Sequence, residues 1–237
     1  MGNFSLIIPN SIAVIEESAF SSCSSLLSVE IPNSVTQIER GVFSYCTALR
    51  HIDIPNSVTK IGRLAFHQCY SLSSISLPNS LTSIGREAFS YCTALETLTL
   101  PNSVTGLGHM AFYGCTSLKY LTIGAGIRTL SSSQFDYCTS LYEIICLAET
   151  PPDASGGFSK VNLYAASLYV PKESFEQYKT TSPWSEFGSI KKIGYYLIYI
   201  LDGEEYKSYE LEEGYSITPE PSPTKDGYTF SGWSEIP

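Results

Sequence analysis

A Phe-x-x-Cys-x-x-Leu motif returns every 23 residues through the first two thirds of this 237-residue chain. Phe20, Phe43, Phe66, Phe89, Phe112 and Phe135 hold its first position, and Cys23, Cys46, Cys69, Cys92, Cys115 and Cys138 its second. The leucines run at the same step from Leu26 to Leu141. A strict period of this size is the signature of a solenoid, in which each repeat buries its apolar face only by stacking on its neighbours.

Aligning the chain at this period exposes further inward columns. One runs Ile12, Val35, Val58, Leu81, Val104, Ile127, and another Ile15, Ile38, Ile61, Ile84, Leu107, Leu130. A stretch such as Leu49-Arg50-His51-Ile52-Asp53-Ile54-Pro55 alternates with period two and ends on a proline that cannot continue a ladder, which predicts a short parallel strand. Pro-Asn-Ser then supplies turn chemistry, with fixed φ at proline and an asparagine that tolerates the left-handed region. Val-Thr-x-Ile predicts a second extended piece, and Arg-x-Ala-Phe-x-x-Cys a tight helical turn. Stacked repeats place equivalent residues ~4.8 Å apart.

The pattern Ser-Val-Thr-x-Ile-Gly-x-x-Ala-Phe-x-x-Cys-x-x-Leu-x-x-Ile-x-Ile-Pro, nearly complete from Ser57 to Pro78, resembles the BspA-type (Treponema-type) leucine-rich repeat. The resemblance covers roughly residues 3–146 and implies an α/β solenoid of short parallel strands. It also implies a bacterial protein that is secreted or displayed on the cell surface, often adhesive, with its strands lining one face.

Three segments are expected: a solenoid over 1–146, a divergent last repeat and cap over 147–193, and a small β module over 194–237. In the second, Leu168-Tyr169-Val170-Pro171 reads as a last strand shifted by one residue. Lys172–Thr180 reads as a short helix presenting Phe175 and Tyr178, stopped before Pro183. In the third, Tyr195–Leu201 and Tyr206–Leu211 read as paired strands around the hairpin signal Asp202-Gly203, and Pro219–Pro223 as an extended linker. The ending Gly227-Tyr228-Thr229-Phe230-Ser231-Gly232-Trp233 is similar to the Listeria-Bacteroides repeat of bacterial surface proteins. Leu6-Ile7-Ile8-Pro9 already stands in repeat register, which reads as a chain beginning inside a longer array.

The net charge of −9 is uneven. Residues 195–237 hold nine acidic side chains against Lys207 and Lys225, and neither part carries a basic stripe. Nucleic acid and anionic lipid are therefore not expected partners, and no apolar run reaches the ~20 residues needed to span a bilayer. All seven cysteines fall in inward columns and never form Cys-x-x-Cys, so they are expected to be reduced core residues instead of zinc ligands. His51, His67 and His109 belong to different columns and cannot converge on one point. With no phosphate loop and no nucleophile elbow, neither an enzyme nor a cofactor is expected.

The outward strand positions vary where the inward ones do not, and they are the expected partner-binding face. The candidates are Arg50, His51, Asp53, Glu96, Lys119, Tyr120, Tyr142 and Glu143, with the two tyrosines as anchors because tyrosine offers large contact area at low entropic cost. A second candidate is the column Arg40, Arg63, Arg86, either solvated and bridged by Glu16, Glu39 and Glu87 or lining an anion-binding groove. Tyr45, Tyr91 and Tyr137 form a further aromatic column. The expected partner is a protein or glycan on a host or neighbouring cell, met by a monomer; the alternative is a stalk that presents another domain.

Overall fold

The computed structural model describes residues 3–130, 132–201 and 204–211. Two compact units divide the chain, Met1–Lys192 and Ile193–Pro237. In the first, the strands in chain order are β1 (Phe4–Ile7), β2 (Leu26–Glu30), β3 (Gln37–Ile38), β4 (His51–Asp53), β5 (Lys60–Ile61) and β6 (Ser74–Ser76). They continue with β7 (Ser83–Ile84), β8 (Thr97–Thr99), β9 (Gly106–Leu107), β10 (Tyr120–Ile123), β11 (Glu143–Cys146), β12 (Ser167–Val170) and β13 (Ser189–Lys192).

These strands stack in parallel, one repeat on the next. The first strand of each repeat forms the orders β1-β2-β4-β6 and β13-β12-β11-β10-β8, and the second forms β3-β5-β7-β9. Pairing runs at the sequence period, as in Ile52↔Ile75 and Leu121↔Ile144. Between β6 and β8 the rung loosens, with Glu96 N–H reaching Ser73 O at 3.5 Å. Each Pro-Asn-Ser turn closes through an isoleucine, valine or leucine N–H on the proline carbonyl, as Val58 does on Pro55 at 2.9 Å. Its serine donates to the preceding repeat, with Ser57 Oγ 2.6 Å from Val35 O. None of these asparagines adopts positive φ among the described residues, so the left-handed turn expected there is absent.

Positive φ occurs instead in the segment expected to be a helical turn. Leu64 (φ 58°), Glu87 (54°) and Met110 (56°) open it, and Gln68 (57°), Tyr91 (60°) and Tyr137 (62°) close it. Each such non-glycine residue costs about 1 kcal/mol of backbone strain. The conformation turns alternate N–H groups toward the following repeat: Leu64, Phe66 and Gln68 donate to the carbonyls of Arg86, Ala88 and Ser90 at 3.0, 2.7 and 2.9 Å. A continuing helix would bond these groups internally and lose the inter-repeat ladder. The third wall is therefore a stack of turns, and the molecule is a parallel solenoid with little helix.

The core holds three spines. Phe20, Phe43, Phe66, Phe89, Phe112, Phe135 and Phe158 stack face to face with centroids 5.0 to 5.6 Å apart. Each fully buried ring contributes roughly 1.5–3 kcal/mol relative to exposure. Beside them the cysteine and leucine spines are buried from Cys46 and Leu26 onward. The first repeat is covered on one side only, so Ile12 is 39% exposed and Phe20 and Cys23 are half-buried, whereas the sequence columns place them inward.

At the other end the spacing slips by one residue: Ile144 pairs with Leu168. The 3₁₀ turn Lys172–Ser174 and helix α1 (Phe175–Thr180) follow β12. Tyr178 OH donates to Ala148 O at 2.8 Å, and Trp184 Nε1 to Pro152 O at 2.8 Å. Trp184 is fully buried and sets its edge against the last stacked ring, Phe158, at 5.8 Å, which ends the spine. In the second unit, β14 (Tyr195–Leu201) pairs antiparallel with β15 (Glu204–Leu211). The hairpin signal at 202–203, the proline linker and the Gly-Tyr-Thr-Phe-Ser-Gly-Trp ending lie outside the described residues.

Candidate functional site

Strand alternation sends Ile52, Leu98, Leu121 and Ile144 into the core and their neighbours outward. The outward candidates fall into two groups. Arg50, His51 and Asp53 stand around β4, where His51 contacts Ser74 Oγ through Nδ1 at 2.8 Å and Asp53 Oδ1 through Nε2 at 3.1 Å. This group has bonding partners of its own, and the serine repeat Ser73–Ser76 separates it from the rest.

The second group is contiguous. Lys119 and Tyr120 lead into β10, and Tyr142 and Glu143 lie beside them at the start of β11, Tyr142 just before the strand and Glu143 in register with Tyr120. Lys119 Nζ reaches back to Glu96 Oε2 at 3.1 Å. Tyr120 and Tyr142 are 46% and 59% exposed, and their rings meet edge to face at 6.5 Å. Two exposed aromatics are thus held against one another beside an ion pair.

The arginines Arg40, Arg63 and Arg86 stand exposed two residues beyond the ends of β3, β5 and β7. Arg86 Nε donates to Glu87 Oε1 at 2.7 Å, the one bridge of the expected three that forms among the described residues. The floor beside it is a groove of about 410 Å³ whose lining includes Gly62, Gly85 and Gly108.

A strict 23-residue alignment misses part of the aromatic column. His67 and Tyr113 insert between Tyr45, Tyr91 and Tyr137, giving a zigzag with centroids 5.4, 6.0, 5.4 and 5.1 Å apart. The rings alternate between two neighbouring positions of the repeat, so their sequence steps alternate around 23. Gly114 makes room for the Tyr91 ring, which would lie 2.9 Å from a Cβ there. His67 is buried; burial lowers its pKa below 6.5, against a smaller opposing pull from Glu87.

The thiols are structural. Each of Cys46, Cys69, Cys92, Cys115 and Cys138 donates through Sγ to the carbonyl of the preceding repeat's phenylalanine at 3.2 to 3.3 Å. All seven cysteines are free, and burial, with smaller repulsion from Cys23, pushes the Cys46 thiol up to about 12. No group of three His, Cys, Asp or Glu residues that could hold a metal gathers among the described residues. A separate crevice of about 750 Å³ lies by the cap, between Phe158–Tyr164 and Ser182–Glu186.

Among solved structures, a leucine-rich repeat protein of T. pallidum shares 34% identity at a TM-score of 0.58, covering 61% of this chain and 74% of its own. A leucine-rich repeat protein from Bacteroides ovatus shares 30% identity at 0.57, covering 72% of this chain and 45% of its own. The pneumococcal vaccine antigen PcpA, at 21% identity and a TM-score of 0.50, covers 80% of this chain and 55% of its own, and shares the fold. This chain thus spans about half the length of the latter two. No curated protein matches it. The profile described as the BspA type leucine rich repeat region matches in six copies over residues 3–82 and 59–177. These matches, which follow the same repeats that build the stacked phenylalanine, cysteine and leucine spines, establish that the chain belongs to the BspA-type leucine-rich repeat family.

Proposed function

We propose that this chain binds a protein partner outside the bacterial cell or at its surface, through the outward strand face around Tyr120 and Tyr142. The observation that carries the reading is the edge-to-face tyrosine pair on a rigid sheet, half exposed beside the Lys119–Glu96 ion pair. Buried tyrosine anchors ringed by polar contacts dominate many protein interfaces. Family membership supports an interaction role for the solenoid, and recognition needs no chemistry and no cofactor. Arg50, His51 and Asp53 extend the same face and would meet only a larger partner.

The test is surface plasmon resonance of the full chain against purified host matrix proteins, alongside the Tyr120→Ala/Tyr142→Ala variant. The variant is expected to lose about tenfold or more in affinity for a bound protein while keeping the parent melting curve. Unchanged binding removes this face from consideration. Absence of any binding favours the second reading, a spacer, for which the unbroken phenylalanine stack supplies stiffness.

A further inference from the structure

We propose that the groove over β3, β5, β7 and β9 binds an acidic, uronate-bearing polysaccharide through Lys60, Arg63 and Arg86. This face lies on a different sheet from the tyrosine pair.

The groove arises from a shrinking series of outward side chains. One floor column runs Gln37, Lys60, Ser83, Gly106, and the next runs Glu39, Gly62, Gly85, Gly108. The second column is glycine for a packing reason: an added Cβ would stand 2.8, 2.6 or 2.4 Å from the backbone nitrogen of Arg40, Arg63 or Arg86 one repeat back. Close stacking therefore leaves a trough of about 410 Å³ without side chains to fill it.

Three arginines adjoin the floor in sequence. Exposed Arg63 and Arg86 directly follow Gly62 and Gly85, Arg40 follows Glu39, and Lys60 stands on the floor. The nearby carboxylates are Glu16, Glu17, Glu39 and Glu87; Glu39 lines the groove and Glu87 is already bonded to Arg86. Among the described residues no ion pair involves Arg40, Lys60 or Arg63. Guanidinium groups repeating at ~4.8 Å repel one another, and a row of anions relieves that repulsion.

The floor also selects the ligand class. Its backbone is committed to the solenoid: Gly62, Gly85 and Gly108 donate to Ile38, Ile61 and Ile84 carbonyls at 2.7 to 2.8 Å. An extended peptide gains no main-chain bonds there, and a proline-rich segment finds no aromatic wall. The polar side chains on the floor are Lys60, the Gln37 amide, the Ser83 hydroxyl and, at one end, the Glu39 carboxylate, with Arg63 and Arg86 beside it. These suit an extended chain bearing carboxylates and hydroxyls.

Calorimetry of the full chain at low salt, with oligogalacturonate as the probe, tests this. Binding is expected to weaken steeply with salt and to fall about tenfold or more in Arg63→Glu/Arg86→Glu with the melting curve unchanged. Neutral cello-oligosaccharide and a poly-glutamate peptide are expected to bind at least tenfold more weakly. No oligogalacturonate binding, equal binding by the double variant, or equal binding of poly-glutamate each overturns the proposal. So does loss of binding in Arg50→Glu/Lys119→Glu on the strand face.

Discussion

Cys69 Sγ donates to the carbonyl oxygen of Phe43, one repeat back, at 3.2 Å. The thiol thus fills core volume and adds a second donor to a carbonyl that already accepts from Cys46 N–H at 3.2 Å. Replacing Cys69 by alanine removes both, so Cys69→Ala is expected to lower unfolding free energy by about 2 kcal/mol. Urea titration followed by circular dichroism reads the change, and an unshifted midpoint would assign the bond no stabilising role.

The same burial governs reactivity. Thiolate is the reactive form, and the thiols from Cys46 to Cys146 are buried, whereas Cys23 is only half-buried. At pH 8 a thiol reagent is expected to modify Cys23 promptly and the other six only on unfolding. Counting labelled sites by mass spectrometry checks this, and disulfide-linked peptides in the native protein would contradict it.

His67 sets an acid limit. Gln68 Nε2 lies 3.1 Å from His67 Nε2 and donates to it only while the ring is neutral, and Nδ1 contacts Ser90 Oγ at 2.6 Å. Burial holds the folded pKa below the unfolded value of 6.5, so the unfolded chain binds more protons below that pH. Stability from this residue is complete above pH 6.5 and declines as the pH falls through the lowered folded pKa. Melting curves from pH 7.5 to 5 should show that decline, and His67→Gln should flatten it.

Two neighbouring glycines should respond differently. A Cβ at Gly108 would stand 2.4 Å from Arg86 N, whereas at Gly106 its nearest neighbour is Ser83 Cβ at 3.4 Å. Gly108→Ala is expected to cost about 2 kcal/mol or more, because two stacked repeats must separate. Gly106→Ala should stay within about 1 kcal/mol of the parent, helped by lost freedom in the unfolded chain. Equal thermal shifts would show that the repeats can part freely.

The periodic part of the fold was legible because inward packing repeats a side chain at one register: Ile52 over Ile75 needs only a fixed step. The turns were less so. Leu64 and Glu87 carry positive φ although neither is a usual left-handed residue, and only stacking against the next repeat holds them there. The zigzag of Tyr45, His67, Tyr91, Tyr113 and Tyr137 eluded a fixed-step comparison because it crosses between two registers. The cap helix was read from Phe175 and Tyr178, but Trp184 and strand β13 gave no periodic signal. Of the site, the tyrosine pair was visible as variation among outward positions. The glycine-floored groove was not, since a missing side chain signifies a groove only once its neighbours are placed.

The left-handed turns also give the solenoid an electrical direction. In that wall the N–H groups of Ser18, Phe20 and Ser22 point to the carbonyls of Arg40, Val42 and Ser44, and Gly41, Phe43 and Tyr45 repeat the pattern onto Arg63, Ala65 and His67. Peptide dipoles aligned in hydrogen-bonded columns add, as they do along a helix. The first repeat therefore presents the carbonyl oxygens of Glu17, Ala19 and Ser21 as a negative pole, with the positive pole toward the cap. Two copies brought together at their first repeats would set acceptor against acceptor along this wall, whereas a rung presenting donors would meet them in register.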